Sequence, residues 1–344
     1  MLKEIEIQNF RCFEQIKISG FERVNLIGGK NNAGKTALLE ALFLNVAPKA
    51  SSLEILRKLR RESSEALEAM PNRAWDNLFY ALKKDRCIVI FGKDDNNNTD
   101  EVKINSSLAQ ITVELRKNEK GINGISGSSV CTASTQGLRN AYGDPIITDS
   151  SSTNDEVPII PSFIRMSGRE LTEAYDNARL DDKDSEVLKA FKIIDPAIES
   201  VESFAIGEPT LYLRRKGERR LPLSLFGDAM NRVAYIMLKL INNNKHKILL
   251  IDEIENGIHY TSQRDFWRVL FRLAVELDTQ IFATTHSLEM LQAFGDVGLE
   301  SKQECSSAYF ELAKKPKTDQ IIGIRRDLET LNYAIEHQKG VRGE

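Results

Sequence analysis

The sequence predicts an α/β nucleotide-binding fold: a mixed, mainly parallel core sheet flanked by helices, with an antiparallel β subdomain and a helical insertion. Three stretches carry this expectation. Gly29-Lys30-Asn31-Asn32-Ala33-Gly34-Lys35-Thr36 fits the phosphate-loop pattern G-x-x-x-x-G-K-[ST] at every defined position. It stands between an apolar run, Val24 to Ile27, and a helix-like run, Ala37 to Leu44, which is the strand–loop–helix setting the pattern requires. Far downstream, the aliphatic run Ile248 to Ile251 delivers Asp252 and Glu253 to the end of a buried strand. A second buried run, Gln280 to Ala283, leads into Thr284-Thr285-His286.

Taken along the chain, Glu4 to Gln8 and Gln15 to Ser19 alternate at period two and read as strands. The helix after the phosphate loop runs to about Val46, where Pro48 closes it. Ser51 to Met70 reads as one charged amphipathic helix, with Leu53, Leu56, Leu59, Leu67 and Met70 on its apolar stripe. Cys87 to Phe91, Glu101 to Ile104 and Ala109 to Leu115 read as strands separated by the turn-rich Gly92 to Asn98. Residues 117–161, rich in Gly, Ser, Thr and Asn, read as a long surface loop with one strand. Helical patterning resumes from Glu170 to Val201, and a hairpin follows from Ser203 to Leu221. The rest alternates: a helix over Asp228 to Asn242, a strand at Lys247 to Ile251, a helix over Ser262 to Leu277, a strand at Gln280 to Thr284, then further strand-like pieces. The expected division is a single 344-residue domain with an N-terminal lobe (1–50), an insertion (51–202) and a C-terminal lobe (203–344).

Bulk properties exclude several classes. With 41% hydrophobic and 28% charged residues the chain has material for a large core. No apolar run reaches the roughly 18 residues a membrane span needs. The start of the chain alternates like a strand and lacks a signal-peptide core, so a cytoplasmic setting is expected. Cys12, Cys87, Cys131 and Cys305 form no CxxC pair, which argues against a zinc site or disulfide framework. A net charge of −3 gives no overall footprint for nucleic acid. Two local basic runs remain, Arg57 to Arg61 and Arg214 to Arg220. The second reads as a hairpin turning at Gly217 with its charges solvated.

The chemistry expected of the three stretches is that of nucleoside triphosphate binding. Gly29, Asn31, Asn32, Ala33, Gly34 and Ala37 lie on the loop and helix start whose backbone N–H groups surround phosphates. Lys35 would reach the β- and γ-phosphates, and Thr36 with Asp252 would hold Mg²⁺. Glu253 would face the attacking water as general base or orienter, and His286 would hydrogen-bond the γ-phosphate. A small-residue turn, Pro222 to Asp228, opens a helix just before the carboxylate strand and offers a second anion site.

The order of phosphate loop, turn and helix, Asp-Glu strand and Thr-His strand resembles the ABC-type ATPases. It is nearest the branch that holds repair and chromosome-organising ATPases and the overcoming-lysogenisation-defect (OLD) nucleases. The resemblance rests on Asn9 to Phe13, Gly29 to Leu44, Leu249 to Tyr260 and Phe282 to Leu288. It implies an ABC-type head that dimerises on ATP, with each nucleotide between one subunit's phosphate loop and the other's signature turn. Ser224, Gly227 or Asp228 would then touch the partner's γ-phosphate, His259 would lie near the seam, and Arg11 would lie beside the phosphates in cis. Ala229 stands where a second glycine is usual, and two alignments of Ser224 and Gly227 remain open. No long coiled coil and no TOPRIM-like acidic pattern is present, so the chain resembles the ATPase half alone. The resemblance implies a separately encoded effector, such as a TOPRIM-type nuclease, in anti-phage defence. The alternatives are a repair ATPase acting directly on DNA and a scaffold held together by ATP.

Overall fold

The computed structural model describes residues 1–62, 73, 75–106, 110–118, 127–134, 158–162, 166–205, 207–243, 246–316 and 318–337. The chain opens with a hairpin, β1 (Leu2–Phe10) and β2 (Phe13–Ser19), followed by β3 (Val24–Gly29), the phosphate loop, α1 (Lys35–Val46) and α2 (Ala50–Leu59). Strands β4 (Ile88–Asp94), β5 (Thr99–Ser106), β6 (Gln110–Asn118) and β7 (Gly127–Ser134) form a meander. The short β8 (Ile159–Ile160) precedes α3 (Gly168–Leu180) and α4 (Asp184–Ile194). Next come β9 (Ile198–Phe204), β10 (Thr210–Arg215) and β11 (Leu221–Pro222). The C-terminal part reads α5 (Asp228–Asn242), β12 (Ile248–Ile251), α6 (Tyr260–Glu276), β13 (Gln280–Thr284), α7 (Leu288–Glu300), β14 (Ser307–Lys314), β15 (Ile321–Arg326) and α8 (Leu328–Glu336).

These strands build three sheets. The core sheet runs β15-β14-β3-β13-β12-β8, parallel throughout except where β15 turns back on β14. An antiparallel sheet runs β2-β1-β4-β5-β6-β7, and a small one runs β11-β10-β9. Strand β9 crosses the boundary expected at residues 202 and 203. The parallel strands β3, β12 and β13 are buried on both faces, which is why they read as continuous aliphatic runs rather than alternating ones.

Helix α1 lies between the core and antiparallel sheets and is buried almost all round, from Lys35 to Asn45. Its Leu38, Leu39, Leu42 and Phe43 join one apolar core with Ile5, Ile7, Ile88 and Ile90 of the antiparallel sheet. Phe21 meets Phe282 and Phe310 edge-on, each at 5.0 Å, closing that core from below. Gln280 locks the two sheets through a buried amide: its Nε2 donates to the Leu2 carbonyl at 2.9 Å and its Oε1 accepts from the Leu2 N–H at 2.9 Å. On the other face of the core sheet, Trp267, Phe271 and Phe294 of α6 and α7 form a second core. A third gathers α3, α4 and α5 over the small sheet.

Residues 117–161, expected to hold one strand, hold both β7 and β8, and three further expectations need correction. The helix after Pro48 ends at Leu59, not Met70; Arg61 turns to φ 54, and Leu67 and Met70 lie outside the described residues. Helical patterning does not continue to Val201, because Ile198 already starts β9, whose Ile198 and Val201 are buried in the third core. The pieces beyond Thr284 are not all strands, since Leu288–Glu300 and Leu328–Glu336 are helices. Gly295 and Gly298 obscure the first of these. They are there for close packing: a Cβ at Gly295 would sit 2.0 Å from Asn332 Oδ1, and one at Gly298 would sit 2.5 Å from Leu328. No helix among the described residues is long and apolar enough to cross a membrane.

Candidate functional site

At the C-terminal ends of the core strands lies an open cleft of about 680 Å³, lined by Asn32, Gly34, Lys35, Thr36, Ala37 and His286, with Arg11 on a further wall. The loop owes its shape to two glycines with positive φ. Gly29 has φ 143 and Gly34 has φ 89; a Cβ at the first would meet the Leu312 carbonyl at 2.5 Å, and one at the second would meet Cys12 and Phe13 at 2.8 and 2.9 Å. Asn32, at φ 65, tolerates the left-handed region as asparagine does. Gly34 starts α1 without a side-chain cap, so the first N–H groups of the helix face the loop. Lys35 folds inward, Nζ donating to the Gly29 carbonyl at 2.8 Å and the Lys30 carbonyl at 2.9 Å. Burial lowers its pKa from 10.5 to about 8, against the opposing pull of Asp252, Glu255 and Glu253.

Asp252 stands at the end of β12, nine-tenths buried, facing the start of α1. Thr284 Oγ1 donates to its Oδ1 at 2.6 Å, and Thr36 Oγ1 lies 3.3 and 3.2 Å from its two carboxylate oxygens. Burial raises its pKa, while the Thr284 and Thr36 hydroxyls oppose the rise. A hydroxyl and a carboxylate facing each other across a small gap form the hard-oxygen pair that suits a magnesium ion.

The next residue, Glu253, adopts φ 47, an uncommon backbone for a non-glycine residue. Thr284 holds it there, since its Oγ1 accepts the Glu253 N–H at 2.9 Å and its carbonyl accepts the Ile254 N–H at 3.0 Å. The Glu253 carboxylate accepts from Asn256 Nδ2 at 2.9 Å and faces His286 Nε2 at 3.7 Å, too far for a direct hydrogen bond. Glu255 supports the histidine from below, its Oε1 accepting the His286 N–H at 2.7 Å. Thus Lys35, Thr36, Asp252, Glu253 and His286, drawn from three separate segments, meet at one end of the sheet.

Arg11, at φ 52 on the tip of the β1–β2 hairpin, does border this cleft. Its guanidinium is held by the buried Glu40, with Nε to Oε2 at 2.9 Å, and by the Asn77 carbonyl at 3.0 Å. Arg60 grips the same carboxylate at 2.7 and 3.1 Å, so one buried acid of α1 joins two arginines. Arg60, Glu62, Asn77, Tyr80 and Lys314 also line the cleft and were not legible as site residues. They come from a helix end, short 3-10 turns and the end of β14, without a local motif; a charged residue inside the otherwise apolar α1 was the one available hint.

The turn at Leu223–Phe226 leads to Gly227, with φ 85 and ψ 178, and then to α5. Ser224, Gly227 and Asp228 are exposed and none of them lines the cleft. His259 and the exposed Tyr260 pack with ring centroids 4.4 Å apart and planes tilted by 38° at the start of α6, on the loop whose Gly257 abuts Ala229. Both basic runs are partly neutralised. Arg57 is buried, bonded to Glu62 at 3.0 Å and set over Trp75, while Arg214, Arg215 and Arg220 pair with Glu199, Asp195 and Glu202 at 3.6, 2.5 and 2.7 Å.

This architecture is similar to that of a solved SMC head bound to the C-winged helix domain of ScpA, with a TM-score of 0.51 over 96% of this chain and 98% of that one at 11% identity. In sequence the chain is 26% identical to an ATP/GTP phosphatase of Helicobacter pylori (strain ATCC 700392 / 26695) across the full length of both. A shorter stretch of 44 residues, 13% of this chain and 5% of the other, is 46% identical to the DNA double-strand break repair Rad50 ATPase of Archaeoglobus fulgidus. Residues 139–291 match a family described as "AAA domain, putative AbiEii toxin, Type IV TA system". Residues 1–204, more than half of the chain, match the family described as AAA ATPase domain, and the chain belongs to that family.

Proposed function

We propose that this chain hydrolyses ATP as a head that pairs with a second copy of itself, and that the nucleotide state of the pair switches a separately encoded effector, a nuclease or toxin, in bacterial anti-phage defence. The observation that carries the reading is an asymmetry. Lys35, Thr36 and His286 line one cleft, with Asp252 against Thr36 and Glu253 facing His286 beside it, whereas the glycine turn at Ser224–Asp228 is exposed and lies outside it. A turn that presents backbone N–H groups at a helix start, away from its own cleft, suits an anion brought by another molecule. The match to a Type IV TA family supports the defence setting. Within this reading, residues 1–50 carry the phosphate loop, 51–202 form an insertion, and 203–344 carry the turn, the carboxylates and His286.

The residues divide the work of phosphoryl transfer. Lys35 neutralises phosphate charge from inside the loop, and the amides of Gly29 to Ala37 hold the phosphate oxygens. Thr36 and Asp252 would hold a magnesium ion, which supplies further charge neutralisation when bound. Glu253 orients the attacking water and accepts its proton, and His286, 3.7 Å away, contacts the γ-phosphate. Asn256 keeps the Glu253 carboxylate aimed.

A direct DNA-repair role is the second reading, favoured by the Rad50-like stretch. The pairing of Arg214, Arg215 and Arg220 with carboxylates reduces the positive charge that hairpin offers a phosphate backbone, leaving Lys216 and Arg219 as exposed cations. Phosphate release measured with and without duplex DNA, at several protein concentrations, tests both. The proposal expects turnover per subunit to rise with protein concentration and not with DNA. Glu253→Gln should keep ATP binding, accumulate the dimer and slow hydrolysis by about 10²- to 10⁴-fold. Wild-type hydrolysis by that variant would remove Glu253 from the mechanism.

A further inference from the structure

Arg232 lies one turn into α5, the helix that the Ser224–Asp228 turn opens, and it is 8% exposed. Its guanidinium reaches main-chain carbonyls rather than a carboxylate. Nη1 donates to the Pro161 carbonyl and Nη2 to the Asp252 carbonyl, both at 2.7 Å. Its Nε is buried with no acceptor. A buried cation whose hydrogen bonds go to two neutral acceptors, with the carboxylates of Asp252, Glu253 and Glu255 attracting it only without direct contact, is a costly way to fill a core position. What the arginine adds is a rigid fork spanning three elements: the turn helix α5, the end of β8 and the peptide joining Asp252 to Glu253.

That peptide is the sensitive one. Glu253 sits at φ 47, a conformation that persists only where its surroundings over-determine it. The Arg232 bond to the Asp252 carbonyl is one such restraint, and the Thr284 bonds are the others. Asn256 adds a second tie to the same place, its Nδ2 lying 2.9 Å from Glu253 Oε2 and 3.2 Å from the carbonyl of Ser162, the neighbour of Pro161. A shift of α5 therefore acts on the backbone that aims the hydrolytic carboxylate.

Resting on the dimeric reading above, we infer that Arg232 is a positioning residue that transmits the placement of the Ser224–Asp228 turn to Glu253 of the same chain. In the pair, engagement of the turn by the partner's nucleotide sets α5, and Arg232 then sets the Asp252–Glu253 peptide. Each nucleotide thereby licenses hydrolysis of the other.

The test uses the full chain with ATP and compares wild type, Arg232→Lys, Glu253→Gln and the double variant. Lysine keeps the charge but cannot span both carbonyls. For Arg232→Lys the inference predicts kcat lower by about tenfold or more, with ATP affinity and ATP-dependent dimerisation within about twofold of wild type. The double variant should be no slower than Glu253→Gln alone, because both changes act through one carboxylate. A purely structural arginine would instead weaken dimerisation and slow the Glu253→Gln background further, and either result overturns the inference. So does an Arg232→Lys kcat within twofold of wild type. Should Arg232→Lys melt below the assay temperature, Asn256→Ala carries the same comparison, with the same outcomes deciding. A wild-type chain without ATP turnover would overturn the parent reading and this one together, whereas normal wild-type turnover with an unaffected variant overturns this one alone.

Discussion

Two glycine-bearing loops open helices in this molecule, and they are built in opposite ways. At Gly34 a side chain would collide with Cys12 and Phe13, and at Gly29 with the Leu312 carbonyl, so both ends of the phosphate loop are walled by its own chain while its tip, Lys30 to Asn32, is exposed. At Gly227, with φ 85 and ψ 178, an added Cβ would meet nothing within 4 Å. Both backbones need glycine, but for different reasons: the first for conformation and space, the second for conformation alone. The enclosed loop is a finished half of a binding site. The open turn has the backbone of one without the walls, and a second copy of the chain is the source of walls that the proposed function supplies.

The comparison can be broken at several points. The largest effect is expected inside the enclosed region, at Glu40. Removing this 1%-exposed carboxylate leaves Arg11 and Arg60 without their shared partner, so Glu40→Ala should cost about 3–5 kcal/mol in a urea melt. Gly34→Ala comes next: strain at φ 89 and the clash with Phe13 should lower the melting temperature and abolish nucleotide binding together. Gly227→Ala sharpens the contrast, since it should leave ATP binding by the isolated chain unchanged while slowing turnover.

A subtler effect follows from Lys35, whose pKa burial lowers to about 8. A bound polyphosphate favours the charged lysine and raises that value, so binding takes up a proton above it. ATP affinity should be constant below about pH 8 and then fall, by at most about tenfold per pH unit, until the raised value of the complex is reached. Titrations of binding from neutral to alkaline pH check this; Lys35→Arg, charged throughout, should flatten the profile. The smallest effect is expected on the rim, where Arg220→Ala removes only an exposed pair with Glu202 and should leave ATP turnover unaltered with or without DNA.

The enclosed half of the site was legible in the sequence because its signals are local. Gly29 to Thr36, the aliphatic run into Asp252-Glu253 and the run into Thr284-His286 each combine a buried strand with polar residues at its end, and the fold brings all three together. Arg11 apart, the walls were not legible. Arg60, Tyr80 and Lys314 reach the cleft from a helix end, a short 3-10 turn and the end of β14, with no spacing rule, and Arg232 looks like an ordinary helix residue until its carbonyl partners just past β8 and β12 are seen. The α7 helix was misread because Gly295 and Gly298 weaken a helical pattern locally, although their purpose is tertiary contact with Asn332 and Leu328. Local propensity gave way to packing there, as it did at Ile198, where burial against α3 and α4 overrode a helical pattern.

The claim that the open turn completes a partner's site is tested most directly by mixing two inactive variants. Lys35→Ala lacks a working phosphate loop but keeps its turn; Gly227→Val keeps its phosphate loop but lacks the turn. A mixed pair contains one composite site with both halves intact, although the chain that binds ATP there has lost its own turn and with it the relay through Arg232, so the account predicts that the mixture releases phosphate from ATP, about tenfold or more slowly than wild type, although neither variant does so alone. A mixture as inactive as its components, or a Gly227→Val chain as active as wild type, would contradict it.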